Sequence, residues 1–319
     1  MSALVSLLGL DPASYLPHAL HRTDRVYAET NCYTDILIEF VHARGEEPLA
    51  MMACALPIDF EGDQWTFFKP RPEEVERLYG IDVHEMQPYR PLPEQIAEQI
   101  SAGRTLIVEL DSFYLPDTEA TSYRKEHVKS SVVAEAIDQD AKTFRYFHGT
   151  GYHQLAGEDY LGVFRIGEFS ADVLPPYTEL ARLDAGAPLR GEELREAAVE
   201  LIARNAARRP ADNPFARFGA RLQDDLPRLL EGSPQTYHDY AFATVRMVGS
   251  AFEAAASGVR WALGADAEAA AAAMDEVVEG SKTLSFKLAR RREFDSGPYV
   301  EKLADAWERS FVGLGDALA

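Results

Sequence analysis

The change of hydrophobic pattern along the chain restricts its fold more than any other feature of the sequence. From about residue 191, apolar residues recur at the three-to-four spacing of amphipathic helices almost to the end. The preceding part contains short alternating segments broken by prolines, a pattern typical of strands mixed with short helices. We therefore predict an α+β domain over residues 1–165 and an all-α helical region over residues 166–319. A length of 319 residues suits such a division.

The elements within each part follow from the same periodicities. In the N-terminal part we predict helices over 73–79 and 92–101, strands over 64–68, 105–110 and 128–136, and a hairpin partner over 142–148 that leads into a loop over 149–153. Residues 50–56 form an apolar run that is a buried strand or a helix fragment. In the C-terminal part the predicted helices are 192–208, 215–230, 235–263, 266–291 and 298–314.

A cysteine stands at a predicted helix start. Thr30 and Asn31 are residue types that cap helices, and apolar residues recur at helical spacing behind Cys32 until about Ala43. A thiolate at that position is stabilised by unpaired backbone N–H groups and by the helix dipole, so the sulfur is a candidate nucleophile. The alternative is that Cys32 is a small buried hydrophobe, which is how we interpret Cys54 within its apolar run.

A histidine at the head of a predicted strand completes a catalytic pattern. His127 precedes the strand over 128–136, and a cysteine helix followed by a strand-leading histidine is the layout of papain-like folds. The imidazole takes the thiol proton and later protonates the leaving group. A third polar group must hold the other ring nitrogen. The candidates are Asp111, His148 and Asp138, of which we favour Asp111.

Three stretches resemble known bacterial proteins. Thr30 to Tyr33, Asp111 to Pro116 with Tyr123 and His127, and Phe147 to Gly149 look like an uncharacterised bacterial family of unknown function. More distantly they are similar to the N-terminal domain of the butirosin-biosynthesis protein H acyltransferases, over roughly residues 25–165. The resemblance implies a papain-like fold and acyl transfer from a carrier-protein thioester to an amine. It matches Cys32 to the nucleophile and His127 to the base.

The sequence departs from those relatives at one place. Where they usually carry Asp or Asn at the end of the strand after the histidine strand, this chain has Tyr146, Phe147 and His148. The function that the resemblance implies is a cysteine-dependent acyltransferase, which moves an acyl or aminoacyl group from a carrier-protein or other thioester to an amine through a thioester on the cysteine. A papain-like peptidase or amidase and a non-catalytic binding protein are the alternatives.

Further residues are candidates for substrate binding. Asn31 next to the sulfur is a candidate oxyanion donor, together with the backbone N–H of Cys32. Tyr114 and Tyr123 are candidate substrate-binding residues, and their alternative is to pack as loop or core aromatics.

Charge and composition restrict the partners. A net charge of −20 would repel nucleic acid and anionic membranes, and no apolar run reaches the roughly 18 residues of a membrane span. Two cysteines and scattered histidines do not make a zinc site, and we predict no metal and no cofactor. We expect no signal peptide and a cytoplasmic location. The expected partners are a carrier protein and a small-molecule amine.

Overall fold

The computed structural model describes residues 4–167 and 175–319. Its strands are β1 (Val5–Ser6), β2 (Phe60–Glu61), β3 (Gln64–Trp65), β4 (Asp82–Met86), β5 (Arg104–Asp111), β6 (Lys129–Asp138), β7 (Thr143–His148), β8 (Gly151–Ala156) and β9 (Thr178–Arg182). Its helices are α1 (Cys32–Ala43), α2 (Pro72–Tyr79), α3 (Leu92–Ser101), α4 (Glu158–Val163), α5 (Gly191–Ala206), α6 (Pro214–Glu231), α7 (Pro234–Ala241), α8 (Met247–Leu263), α9 (Glu268–Ala289) and α10 (Gly297–Ala317).

Elements with strong local signals agree with their predictions. The helix predicted from Cys32 to about Ala43 is confirmed as α1, and the helix predicted over 92–101 is confirmed as α3. The strand predicted over 105–110 lies within β5, and the predicted hairpin is formed by β6 and β7. The structure is thus a mixed α+β chain with an antiparallel sheet and a mostly helical C-terminal region.

Three local predictions are wrong or too long. The segment 149–153 begins β8 instead of forming a loop, because the two residues Gly149 and Thr150 suffice to turn the chain between β7 and β8. The strand predicted over 64–68 is confined to β3. The helix predicted over 235–263 is divided by a π-helical turn, Phe242–Arg246, between α7 and α8.

The described chain divides into two compact units that interleave along the sequence. The first comprises Met1–His21, Asn31–Pro48 and Pro72–Leu189, and the second comprises Arg22–Thr30, Leu49–Arg71 and Arg190–Ala319. The single boundary predicted from the sequence, at 165/166, does not describe this division. Because β9 pairs with β4 and β5, the sheet of the first unit continues beyond that point. Residues 168–174, which belong to the segment around the predicted boundary, lie outside the described residues.

The first unit is built on one antiparallel sheet. Within the described residues its strand order is β4-β9-β5-β6-β7-β8, and β1 pairs with the far end of β6. The two faces of the sheet are covered by different helices. One face packs against α3 and α4 through a core that includes Ile96, Val108, Val132 and Tyr146. On the opposite face, Phe40 of α1 contacts Phe147 of β7, with ring centroids 5.8 Å apart.

A β-bulge lies in β6 and changes the register with β7. Ala136 pairs with Arg145, whereas Ala134 pairs with Tyr146, so one additional residue of β6 is accommodated between these pairs. The residue at the bulge, Glu135, is fully buried, and its carboxylate accepts hydrogen bonds from Ser6 Oγ and Leu8 N. Side chains along β6 alternate between the two faces of the sheet. Because of the additional residue, this alternation is shifted by one residue on the two sides of the bulge.

The second unit is a group of helices around an aromatic core. Trp65 of β3 is buried, and its ring centroid lies 5.0 Å from that of Phe215 and 6.0 Å from that of Phe218. Helix α8 approaches an earlier segment closely, since a Cβ at Gly258 would lie 2.8 Å from Met52 Cβ. The apolar stripes predicted for the C-terminal helices are therefore buried partly against residues 49–71.

Candidate active site

The start of α1 has the geometry that the sequence predicts. Asn31 is the N-cap, and its side-chain oxygen accepts a hydrogen bond of 2.9 Å from Thr34 N. Cys32 is the first helical residue, so its backbone N–H has no partner within the helix. The sulfur consequently lies at the positive end of the helix dipole, where negative charge is stabilised.

The Cys32 side chain is half-buried and faces β6. Its Sγ atom lies 3.7 Å from Ser131 Oγ, within hydrogen-bond range for sulfur. The next residue ties the helix start to the sheet, because Tyr33 OH donates to Glu179 Oε2 of β9 over 2.6 Å. Burial and the neighbouring Glu179 raise the pKa of Tyr33, so this hydroxyl keeps its proton at neutral pH. The position of the sulfur is therefore set by contacts on both sides.

The imidazole of His127 is held by a carboxylate. Its Nδ1 lies 2.6 Å from Asp111 Oδ2, and the other oxygen of Asp111 accepts a hydrogen bond from Phe113 N. The ring stacks on Phe113, with centroids 4.4 Å apart and planes inclined by 11°. Two thirds of the His127 side chain (67%) is exposed. Asp111 thus occupies the place of an orienting group, and Nε2 remains available to a substrate or a thiol.

The Cys32 sulfur and the Asp111–His127 pair lie on the same face of the sheet. Asp111 is directly opposite Lys129, and Lys129 points to the same face as Ser131 because side chains alternate along a strand. The two positions on β6 are separated by roughly 7 Å along the strand. The sulfur and the imidazole are not within hydrogen-bond distance: Cys32 contacts Ser131, and His127 contacts Asp111, Phe113 and Tyr114.

His148, a candidate orienting residue, lies on the opposite face and has partners of its own. Its Nε2 is 2.6 Å from Ser130 Oγ, and its Nδ1 contacts Asp117 Oδ2. Tyr146 OH donates to the other oxygen of Asp117. Burial alone would raise the pKa of Asp117, but the hydrogen bond and charge of His148 outweigh it and lower that pKa. Asp117 is therefore an ionised carboxylate beneath the imidazole.

The residues predicted from the sequence did not include Ser130, Ser131 or Asp117. The adjacent serines open a strand, and alternation along that strand sends one to each face. Asp117 directly follows the Leu115-Pro116 pair of the resemblance motif. Neither the alternation of the two serines nor the position of Asp117 after this motif indicates which serine contacts a histidine. The remaining orienting candidate, Asp138, accepts a hydrogen bond from Ala141 N in the β6–β7 turn.

The other predicted substrate-binding residues have structural partners. Asn31 is buried and caps α1. Tyr123 OH donates to Asp159 Oδ2 over 3.0 Å, and the Tyr114 ring lies against the backbone of Gly162. Arg124 binds Asp159 Oδ1 over 2.5 Å beside both tyrosine rings. Binding of a substrate by these residues stays a prediction.

A buried cluster of charged side chains joins α1 to the segment that precedes it. His21 is fully buried, and its ring nitrogens contact Asp35 and Glu39, which project from the first turns of α1. Burial by itself would lower the pKa of His21, but the hydrogen bonds and charges of the two carboxylates raise it to about 9. Tyr15 OH donates to the same Glu39 carboxylate. The helix that carries Cys32 is therefore attached to the preceding segment by an imidazolium–carboxylate group.

The described residues contain neither a cluster of metal ligands nor a membrane-spanning helix. In the described ranges 4–167 and 175–319, no group of three or more His, Cys, Asp or Glu side chains has an arrangement that could hold a metal ion. No helix of that part of the chain combines the length and the apolar character that a membrane span requires.

The fold and the candidate site place the chain among mixed α+β proteins that carry a cysteine at a helix start. A cysteine at a helix start lies over an antiparallel sheet in the N-terminal half, and the C-terminal half is mostly helical. Residues 16–183 match the DUF1839 N-terminal domain and residues 191–316 match the DUF1839 C-terminal domain. The chain therefore belongs to the DUF1839 family, which is defined by a domain of unknown function. No curated protein matches the chain. The family match contains no link to acyltransferases.

Proposed function

We propose that the protein is a cysteine-dependent acyltransferase on a papain-like arrangement, with Cys32 as the nucleophile. One observation supports this most directly: Cys32 is the first residue of a capped helix, its side chain is half-exposed, and it shares a sheet face with the Asp111–His127 pair. A helix start stabilises the thiolate, and a carboxylate-held imidazole is the partner that such a nucleophile requires.

The reaction would proceed in two steps. The Cys32 thiolate attacks the carbonyl carbon of a thioester donor, the donor thiolate leaves, and an acyl group becomes attached to Sγ. The Cys32 N–H at the helix start stabilises the oxyanion that forms during the attack. An amine then attacks the acyl-enzyme, and His127 accepts its proton while the Cys32 thiolate leaves. Asp111 on Nδ1 keeps Nε2 of His127 directed away from the carboxylate.

The proposal requires the exposed imidazole to move toward the sulfur. His127 makes contacts with one carboxylate and two aromatic rings, and 67% of its side chain is exposed. Its rotation therefore disturbs no buried core. The nearby cation Lys129 is paired with Glu109 on the same face.

The donor and acceptor classes come from the resemblance. The similarity to butirosin-biosynthesis protein H acyltransferases favours a carrier-protein thioester as donor and a small-molecule amine as acceptor. A cytoplasmic setting, in which thiols stay reduced, is the environment this chemistry needs.

Formation of an acyl-enzyme tests the proposal. The protein is incubated with a simple acyl thioester of N-acetylcysteamine, and its intact mass is measured. We expect one acyl adduct, which is lost in the Cys32→Ala variant and kept in the Cys54→Ala control. The control is suitable because Cys54 is buried. An adduct that survives Cys32→Ala would refute the nucleophile assignment.

The same experiment separates transfer from hydrolysis. With a panel of primary amines present, a transferase forms amide and the adduct turns over faster, whereas a peptidase or amidase releases free acid at a rate that amines do not change. The second candidate function, a binding protein without catalysis, is favoured by the contact of the sulfur with Ser131 instead of an imidazole. That candidate predicts no adduct from any donor.

A further inference from the structure

A second chain of hydrogen bonds lies on the sheet face away from Cys32. Ser130 Oγ is 2.6 Å from His148 Nε2, and His148 Nδ1 contacts Asp117 Oδ2. These are a hydroxyl, an imidazole and a carboxylate in the order and connectivity that activate a serine. Ser130 points to the same face as Val132, which belongs to the core against α3 and α4, whereas Cys32 contacts Ser131.

All three members of this hydrogen-bonded chain are partly or largely buried. Asp117 and His148 are nearly enclosed, with 9% and 11% of their side chains exposed, and Ser130 is half-buried. The hydroxyl lies near the end of a strand, at the second residue of β6, and His148 is the last residue of β7. The imidazole and its carboxylate are therefore largely shielded from solvent, and the hydroxyl lies at the end of a strand.

The orienting carboxylate is itself fixed. Tyr146 OH donates to the Asp117 oxygen that His148 does not use, and burial together with Asp117 raises the pKa of Tyr146, so it keeps its proton. Asp117 is ionised, so the His148 nitrogen that contacts it, Nδ1, is the one that carries a proton. An imidazole with its proton on Nδ1 has a lone pair on Nε2, which lies 2.6 Å from Ser130 Oγ and is placed to accept the proton of that hydroxyl.

We propose that Ser130 is a second nucleophile, activated by His148 and Asp117, which reacts with small uncharged carboxylic esters. In the first step Ser130 Oγ bonds to the ester carbonyl carbon, and its proton passes to His148 Nε2. The C–O bond to the alcohol then breaks, and the alcohol leaves with that proton. Water attacks the acyl-serine, gives its proton to His148, and releases the acid as Ser130 recovers the proton.

The surroundings indicate the class of ester. Val128 lies two residues before Ser130 on the same face and is 48% exposed, so it offers an apolar contact beside the hydroxyl. The carboxylates near Tyr146 are Asp117 and Asp159. Arg124 pairs with Asp159, whereas the carboxylate of Asp117 is separated from the Ser130 hydroxyl by one imidazole and disfavours an anionic substrate. A small apolar acyl group in an uncharged ester fits these surroundings best.

An alkyl fluorophosphonate tests this inference on the full chain. Such a probe bonds to an activated serine oxygen through phosphorus and releases fluoride. We expect one adduct by intact mass, and peptide mapping of the wild-type protein should place it on Ser130. The adduct should be lost in Ser130→Ala, and the labelling rate should fall about 100-fold or more in His148→Gln, the usual contribution of a general base. Circular dichroism of each variant checks that it is folded.

Two controls separate this site from Cys32 and from general reactivity. Cys32→Ala should keep full labelling, and so should Ser101→Ala, whose hydroxyl is bonded to Ala97 O at the end of α3. Failure of the Cys32 thioester experiment would leave this result unaffected. No adduct on the wild-type protein, or an adduct mapped to another residue, would overturn the inference and leave Ser130, His148 and Asp117 as a structural tie between β6, β7 and the loop at 116–118.

Discussion

At the residue scale, His21 makes stability depend on pH. Its folded-state pKa of about 9 lies above the ordinary value of 6.5, because Asp35 and Glu39 hold the charged form in a buried place. A group with a raised folded pKa contributes stability that is fully present below its unfolded pKa and is lost as the pH rises through the folded value. The difference between the folded-state and the ordinary pKa of His21 corresponds to at most about 3 kcal/mol of folding free energy.

We therefore predict that the free energy of unfolding decreases between about pH 6.5 and pH 9. Urea unfolding at a series of pH values measures it. At pH 6 the His21→Gln variant should be less stable than the wild type by about 3 kcal/mol, because two buried carboxylates lose their cationic partner. Its stability should also change less over the same pH window.

The control for this variant is another histidine. His84→Gln should change stability by less than about 0.5 kcal/mol, since 63% of the His84 side chain is exposed. Identical pH profiles for wild type and His21→Gln would contradict the assignment of a buried imidazolium.

At the element scale, local signals were predictable and the strand register was not. The bounds of α1 follow from Asn31 and the apolar spacing behind it, which are features of neighbouring residues. The hairpin turn alone implies that His148 lies opposite Val133 and points with Ser131, toward Cys32. The bulge at Glu135 shifts the pairing by one residue, so His148 meets Ser130 instead. A bulge depends on tertiary contacts, here with residues 6–9, and the sequence of the hairpin does not show it.

Alanine substitutions at two helical glycines should change the free energy of unfolding in opposite directions. A Cβ at Gly258 in α8 would lie 2.8 Å from Met52 Cβ and 3.0 Å from Leu49 O, whereas a Cβ at Gly315 in α10 meets nothing within 4 Å. We expect Gly258→Ala to lower the free energy of unfolding by about 1–2 kcal/mol through overpacking. Gly315→Ala should raise it by about 0.5–1 kcal/mol through helix propensity. Denaturant unfolding of both variants measures the difference, and equal effects would contradict the close approach of α8.

At the scale of the whole molecule, composition and periodicity predicted a mixed half and a helical half, but not that each compact unit gathers separate segments. The second unit includes Leu49–Arg71, a stretch whose own pattern suggested only short elements. Its assignment depends on Trp65 packing on Phe215 and Phe218, more than a hundred residues later. Such contacts leave no periodic signal in the sequence.

The interleaving leads to a prediction about fragments. A fragment of residues 190–319 lacks Trp65 and Met52, so it exposes the apolar surfaces that these side chains cover in the full chain. We expect this fragment to bind the dye ANS and to unfold without a cooperative transition. The full chain should bind no ANS and should unfold cooperatively. Addition of residues 49–71 through a flexible linker should restore cooperativity. A cooperative, ANS-silent fragment would contradict the division into these units.

The measurement that tests the central claim most directly is the rate at which iodoacetamide alkylates Cys32 at pH 7. It is made in the Cys54→Ala background, so that one thiol reacts. The reference rate is that of N-acetylcysteine under the same conditions. If the start of α1 primes the sulfur, Cys32 in the folded protein reacts faster than the free thiol, despite being half-buried. A folded protein whose Cys32 reacts more slowly than N-acetylcysteine would contradict the account.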